Sequence, residues 1–144
     1  MNKRKYLPVI FFLFSSLIIS CSGREDPRNV VKEFVRAIIG NDSTAIESMV
    51  NWDGMIKSRL AEMSPEDSAR SLIYYKGEFY QSLTDSGSRR LYYLNSQIVV
   101  GKGKIVDDRA EVELSFIGKD TGIQNYTKVG LLKSPDGWKI IYLY

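Results

Sequence analysis

Hydrophobic residues in the first half of the chain recur at intervals of three and four, which is the spacing of an amphipathic helix. The clearest stripe of this kind consists of Val30, Val31, Phe34, Val35, Ile38 and Ile39. Asp26 and Pro27 stand in front of it as a helix cap and a first-turn proline. Gly40 is expected to end the helix in the left-handed conformation. The pattern therefore predicts one long helix that begins a folded domain.

Three further helical segments are predicted before the middle of the chain. The second helix is short, and its Thr44 and Glu47 have the spacing of a capping box. The third is expected around residues 54–63. The fourth is expected over residues 64–83, because a serine and a proline at its start are a strong helix-start signal. The polar segment 84–88 is expected to end the helical half.

The second half changes to the alternating pattern of strands. The strongest alternation places one side of a strand at Ala110, Val112, Leu114 and Phe116, with polar residues between them. Turn sequences divide this half into four strands, at residues 107–108, 118–122 and 134–137. Gly101 and Gly103 lie inside the first of these strands, where glycine predicts a bulge or a sharp bend. The second half therefore predicts a curved antiparallel sheet.

The last strand is hydrophobic on both faces. One face would carry Trp138, Ile140 and Tyr142, and the other Ile141 and Leu143. We expect one set to face the helices and the other to point outward. Exposed neighbouring aliphatic side chains favour association, so the sequence predicts a homodimer or a protein partner on this side of the sheet.

The first 20 residues have the layout of an export signal. A basic segment, Lys3-Arg4-Lys5, precedes an apolar run over residues 7–19. The run is shorter than the roughly 20 residues that a membrane-spanning helix needs. Cys21, the only cysteine, follows the run directly. Two readings without lipid stay open: a secretory signal followed by a stray thiol, or a short uncleaved anchor.

The segment Ile18-Ile19-Ser20-Cys21 resembles the lipobox of bacterial lipoproteins. The resemblance implies cleavage in front of Cys21 and acylation of its sulfur. Ser22, in place of an aspartate, implies the outer membrane facing the periplasm if the host has two membranes. The expected organisation is therefore a signal peptide over residues 1–20, a lipidated cysteine with a short tether over 21–26, and one domain over 27–144.

Composition excludes several classes of function. Three of the 20 basic residues lie in the leader, so the remaining basic residues equal the 17 acidic ones, and no nucleic-acid partner is expected. The chain has no histidine. This excludes Ser-His-Asp and Cys-His catalysis and imidazole metal sites. We expect no metal and no other cofactor.

Two short stretches of the chain resemble NTF2-like domains. The first is the segment 31–37 followed by Gly40-Asn41-Asp42, and the second is the segment 129–140 with its Asp136-Gly137-Trp138 turn. The second stretch especially resembles the last hairpin of small bacterial lipoproteins of this family, of the DUF4878 type. The resemblance implies an α+β cone of the cystatin-like superfold, in which N-terminal helices pack on a curved antiparallel sheet of about four strands. It also implies a pocket at the mouth of the cone.

Four residues are candidates for lining that pocket. Trp52 and Asp53 follow the second helix, and an aspartate beside an apolar ring could act as a general base. The simpler reading of Asp53 is a cap for the helix that begins near Gly54. Tyr126 and Tyr142 could contribute ring faces and hydroxyls, although packing of the sheet explains tyrosines equally simply.

The sequence favours a membrane-anchored, non-catalytic domain that binds a ligand or a protein partner at the exported side. One alternative is an isomerase- or dehydratase-type enzyme with an aspartate–tyrosine pair in the cone, as in some members of the family. Another is a structural or inhibitory module that uses the outer face of the sheet. Fold alone does not decide between them.

Overall fold

The computed structural model describes residues 26–61 and 72–143, and the predicted leader with Cys21 lies outside them. The described chain forms five helices followed by four strands. The helices are α1 (Pro27–Gly40), α2 (Ser43–Met49), α3 (Trp52–Leu60), α4 (Leu72–Leu83) and α5 (Ser88–Leu94). The strands are β1 (Ser96–Val106), β2 (Arg109–Gly118), β3 (Gln124–Ser134) and β4 (Gly137–Leu143). Within these ranges no helix is long and apolar enough to cross a bilayer.

The four strands form one antiparallel sheet in the order β1-β2-β3-β4. Alternate residues of β2 are buried under the helices, as their spacing predicts; they are Ala110, Val112, Leu114 and Phe116. Val129 and Leu131 of β3 pair with Val112 and Ala110 and continue the same buried layer. Burial of aliphatic and aromatic surface between the helices and this face is the main stabilising contribution.

Helix α1 has seven buried residues on the side that faces the sheet. Val31, Phe34 and Ile38 are almost fully enclosed, which confirms the predicted stripe. Ile39 was expected in the same stripe but is 39% exposed, because it lies at the edge of the buried face. Asp26 caps the helix as predicted, accepting a hydrogen bond from the backbone N–H of Arg28 at 2.9 Å.

Three predicted helix ends were wrong by one or two residues. Helix α1 includes Gly40, and the left-handed residue is Asn41 with φ 57°, a conformation that asparagine tolerates. The cap of α2 is Asp42 and not Thr44, because the Asp42 carboxylate accepts a hydrogen bond from the backbone N–H of Ala45. The cap of α3 is Asn51, whose side chain accepts from the N–H of Gly54 at 3.0 Å.

Helix α5 was not predicted. It begins at Ser88, inside the segment expected to be irregular, and Gly87 precedes it at the cap position. Arg90 ties this helix to α1. Its guanidinium donates to the carbonyls of Ile38, Ile39 and Asp85 at 2.8–3.0 Å. Carbonyls at the end of a helix lack partners within the helix, so Arg90 satisfies two of them in α1 and fixes the position of α5.

Both edges of the sheet have irregular pairing. The register of β1 against β2 shifts between Val100 and Gly103, which confirms the bulge predicted from the glycines. At the other edge, the segment before α3 runs along β4. Val50 forms a parallel bridge with Ile140, and the N–H of Asn51 donates to the Ile140 carbonyl at 2.8 Å.

The expectation that the two sets of β4 side chains lie on opposite faces, with Ile141 and Leu143 as the aliphatic pair, was wrong. The register of β3 against β4 shifts between Gly130 and Leu131, so Ile141 is an extra residue in β4. The strict alternation ends there. Ile141 is buried, and one of its methyl groups lies against the backbone of α3 at Gly54. Leu143 is half-buried and packs against the helix-facing core. A partner on the outer face stays a prediction, without this apolar pair to support it.

Candidate functional site

A cavity of about 870 Å³ is bordered by α5 and by the strands β2, β3 and β4. It borders the packed core, since Tyr93 and Phe116 belong to both. The residues that line it come from α5 and from these three strands. They are Ser88, Arg89, Tyr92, Tyr93, Glu113, Phe116, Asn125, Tyr126, Thr127, Lys128 and Leu143. A space of this volume is within the range of small-molecule binding sites.

The aromatic wall of the cavity is built around Phe116 on β2. The rings of Tyr92 and Tyr93 on α5 both pack against it, each with 4.9 Å between ring centres. The side chain of Asn125 on β3 donates a hydrogen bond to the hydroxyl oxygen of Tyr92 at 3.1 Å. These contacts hold the short helix α5 against the sheet and give the cavity a largely apolar wall.

Tyr93 is buried and lines the cavity. Burial raises the pKa of its hydroxyl far above the usual value, so this group is a neutral donor at neutral pH. Within residues 26–61 and 72–143 it has no hydrogen-bond partner. Every fully enclosed side-chain nitrogen or oxygen of that part of the chain does have one. The Tyr93 hydroxyl is therefore not sealed in the core, and it opens to the cavity.

Arg89 lies one helical turn before Tyr93 and also lines the cavity. Its guanidinium carbon is 5.0 Å from the ring centre of Phe79 on α4, and that of Arg59 is 5.8 Å from the same centre. Desolvation by burial lowers the pKa of Arg89, and the positive charge of Arg59 adds to that effect. A guanidinium nonetheless stays charged at neutral pH.

The four described ion pairs do not involve either of these arginines. They join Arg28 to Asp26, Arg36 to Glu33, Lys76 to Glu47, and Lys128 to Glu111. The cavity has one carboxylate among its described lining residues, Glu113. That side chain is exposed, and it alternates with the buried Val112 and Leu114 along β2. Arg89 thus places at the cavity a positive charge that takes part in none of the described ion pairs.

The structure places Trp52 and Asp53 away from the described cavity lining. Trp52 packs edge-on against Tyr80 and Phe79, with ring centres 5.9 and 6.4 Å apart, and its indole N–H donates to the Glu47 carbonyl. Asp53 is exposed in the first turn of α3. Trp52 therefore joins α3 to α4 and to the end of α2.

The two candidate tyrosines lie at different places on the sheet. Tyr126 is among the residues that line the cavity, and it is 75% exposed. Tyr142 is not among the described lining residues; its hydroxyl donates to the Glu111 carboxylate at 3.0 Å and its ring covers Gly130. The structure therefore does not bring Asp53 together with either tyrosine.

Sequence reasoning missed the residues of α5 that form the cavity. Arg89, Tyr92 and Tyr93 are the main ones. The available signal was the spacing of Arg89 and Tyr93, which places them on one face of a helix. It is a weak signal in a helix of seven residues.

Helices that precede a four-stranded antiparallel meander, with a cavity at the open end, constitute the NTF2-like fold, and this chain has that fold. Two solved structures support the assignment. One is a candidate ketosteroid isomerase from Shewanella frigidimarina NCIMB 400, with TM-score 0.53 and 21% identity, over 84% of this chain and 95% of that one. The other is a candidate NTF2-like transpeptidase from Campylobacter jejuni, with TM-score 0.51 and 14% identity, over 83% of this chain and 99% of that one. No protein-family model and no curated protein matches the chain.

Proposed function

We propose that this chain is a membrane-anchored lipoprotein whose NTF2-like domain binds a small ligand in the cavity between α5 and the sheet, without chemical conversion. The observation that carries the proposal is the cavity itself, about 870 Å³ in volume and walled by Tyr92, Tyr93 and Phe116. Large apolar cavities with a few polar groups are the usual form of ligand sites.

The arrangement of titratable groups favours binding over catalysis. Proton transfer would need a general base within hydrogen-bond reach of a bound substrate. Asp53 is not among the described lining residues. Glu113 is among them, but its side chain is exposed to solvent. The alternative of an aspartate–tyrosine enzyme therefore lacks its aspartate at the cavity.

The anchor is proposed from the lipobox resemblance. Five residue steps separate Cys21 from Asp26 at the start of the domain. A chain of that length extends at most ~18 Å. A lipid on Cys21 would therefore hold the domain close to the exported side of its membrane, on the periplasmic side of the outer membrane in a host with two membranes.

We expect protein extracted from membranes to lack residues 1–20 and to carry acyl chains on Cys21. Intact-mass spectrometry of the purified protein measures both. The variant Cys21→Ser should accumulate as the uncleaved precursor or lose the acyl mass, because the sulfur that accepts the lipid is absent. A mature protein with a free thiol would contradict the anchor and leave the cavity proposal unaffected.

The cavity proposal is tested with a neutral aromatic probe, 2-naphthamide, by isothermal titration calorimetry on the full chain in detergent. We expect one site per chain. Asn125→Trp should weaken binding by about tenfold or more, because the larger side chain fills the space beside Tyr92.

Gln97→Trp is the matched control. Gln97 is exposed on β1 and is not among the lining residues. The same substitution there should leave the affinity within about twofold. Equal losses in the two tryptophan variants would refute the cavity as the binding site. So would the absence of saturable binding of both 2-naphthamide and its carboxylate analogue 2-naphthoate by the unaltered chain.

A further inference from the structure

We infer that the ligand of this cavity carries an anionic oxygen group, such as a carboxylate, which the Arg89 guanidinium and the Tyr93 hydroxyl bind together, while an apolar body packs against Tyr92, Phe116 and Leu143. The inference rests on the cavity-binding function proposed above and adds the chemical class of the ligand.

The first argument compares two adjacent arginines. Arg90 uses its guanidinium inside the protein, in hydrogen bonds to three backbone carbonyls. Arg89 has no hydrogen bond or ion pair to any residue in the described ranges. It contacts the Phe79 ring and lines the cavity. A guanidinium presents five N–H donors in a fixed plane, suited to two parallel hydrogen bonds with a carboxylate. The unused donors of Arg89 are thus available to a ligand.

The second argument is the position of the Tyr93 hydroxyl. Arg89 and Tyr93 are four residues apart on α5, so both lie on the same face of the helix. The Tyr93 hydroxyl has no partner in the described part of the chain, although the residue is buried. This hydroxyl opens to the cavity, so a bound ligand can reach it. An oxygen acceptor on a ligand would satisfy this hydroxyl and Arg89 together.

The third argument is the charge around the site. Arg59 and Arg89 lie over the same Phe79 ring, and neither takes part in a described ion pair. Like charges at short distance repel, and a partly buried site screens them less than water does. An anion in the cavity would lower this repulsion, whereas a cationic ligand would increase it.

The fourth argument is the size of the cavity. A small inorganic anion would occupy only a fraction of about 870 Å³ and would leave the aromatic wall uncovered. An anionic group joined to a ring system or an aliphatic chain would contact both the polar and the apolar parts. We therefore assign the site to amphipathic organic anions.

The test uses two probes with one skeleton, 2-naphthoate and 2-naphthamide, which differ in charge and hardly in shape. Isothermal titration calorimetry at neutral pH measures both on the full chain in detergent. We expect 2-naphthoate to bind about tenfold or more tightly, since hydrogen bonds to charged groups contribute more than neutral ones. Arg89→Gln should lower the affinity for 2-naphthoate by a similar factor. It should change the affinity for 2-naphthamide by less than about threefold. Tyr93→Phe should weaken 2-naphthoate several-fold.

Arg36→Gln is the matched control, because it removes the same charge from an exposed arginine that pairs with Glu33 on α1. It should leave both affinities unchanged. A salt titration of the unaltered chain gives an independent measure if a variant fails to fold. Added NaCl should lower the affinity for 2-naphthoate and leave the affinity for 2-naphthamide unchanged.

The outcomes separate the two proposals. Equal affinity for the two probes, or equal effects of Arg89→Gln and Arg36→Gln, would overturn the anionic ligand and leave cavity binding intact. Binding of neither probe to the folded chain would overturn the cavity function and this inference with it.

Discussion

Gly87→Ala is expected to lower the free energy of unfolding by about 3 kcal/mol, which is at the upper end for adding one methyl group. A β-carbon at this position would lie 2.2 Å from the Gln81 carbonyl oxygen and 2.5 Å from that of Ser82. These are backbone atoms at the end of α4, and they cannot rotate away as a side chain could. The backbone of Gly87 is also held by hydrogen bonds to Thr84 and Leu91. Urea unfolding followed by circular dichroism measures the change.

Gly77→Ala is the control for this prediction. Gly77 lies inside α4, and a β-carbon there would meet no atom within 4 Å. Alanine has the higher helix propensity, so the free energy of unfolding should rise by about 0.5–1 kcal/mol. If the same substitution lowers the free energy of unfolding at Gly87 and raises it at Gly77, the close packing of the α4–α5 turn is established. A loss below about 1 kcal/mol for Gly87→Ala would show that this turn relaxes easily, and the position of α5 would then need revision.

Ile38→Ala is expected to lower the free energy of unfolding by about 2–5 kcal/mol, the range for removing a large aliphatic side chain from a core. Ile38 is fully buried between α1 and the sheet. Its neighbour Ile39 is also an isoleucine but is 39% exposed. Ile39→Ala should therefore lower the free energy of unfolding by much less, about 1 kcal/mol or below. Thermal and urea unfolding of the two variants gives the difference. Equal losses would contradict the orientation of α1.

Much of this fold could be predicted from the sequence, because the apolar pattern of a long helix or strand shows which of its faces is buried. Helix α1 and strand β2 are the clearest cases. Val31, Phe34 and Ile38 recur at helical spacing, and Val112 and Leu114 alternate, and all five are buried where the pattern places them. In both elements the periodicity extends over enough residues to fix the orientation.

Strand β4 was misassigned because a bulge breaks the period of two. Its sequence gives no glycine or proline to mark the extra residue at Ile141, and the shift arises from the pairing with Gly130 and Leu131. A one-residue shift moves every later side chain to the other face. The tertiary contact that uses the extra residue, Ile141 against α3, involves residues almost 90 positions apart in the chain.

The candidate site was the least predictable part. Helix α5 has only seven residues, which is about two turns. No long apolar stripe in the sequence identifies so short a helix. Its position depends on Arg90 reaching the end of α1 and on the turn at Gly87. The functional interpretation of Arg89 and Tyr93 depends on which of their donors remain unused after folding, and that property is visible only in three dimensions.

The contact between Val50 and Ile140 has a consequence for how copies of this protein behave when crowded. An open strand edge can template pairing with another chain and begin aggregation. The Val50–Asn51 segment and α3 cover the β4 edge. The β1 edge carries exposed Lys102 and Lys104 beside a bulge, which are devices that discourage edge-to-edge pairing. A protein concentrated in two dimensions by a lipid, as we propose here, meets its copies far more often than a freely diffusing one, and both borders of its sheet are protected against that encounter.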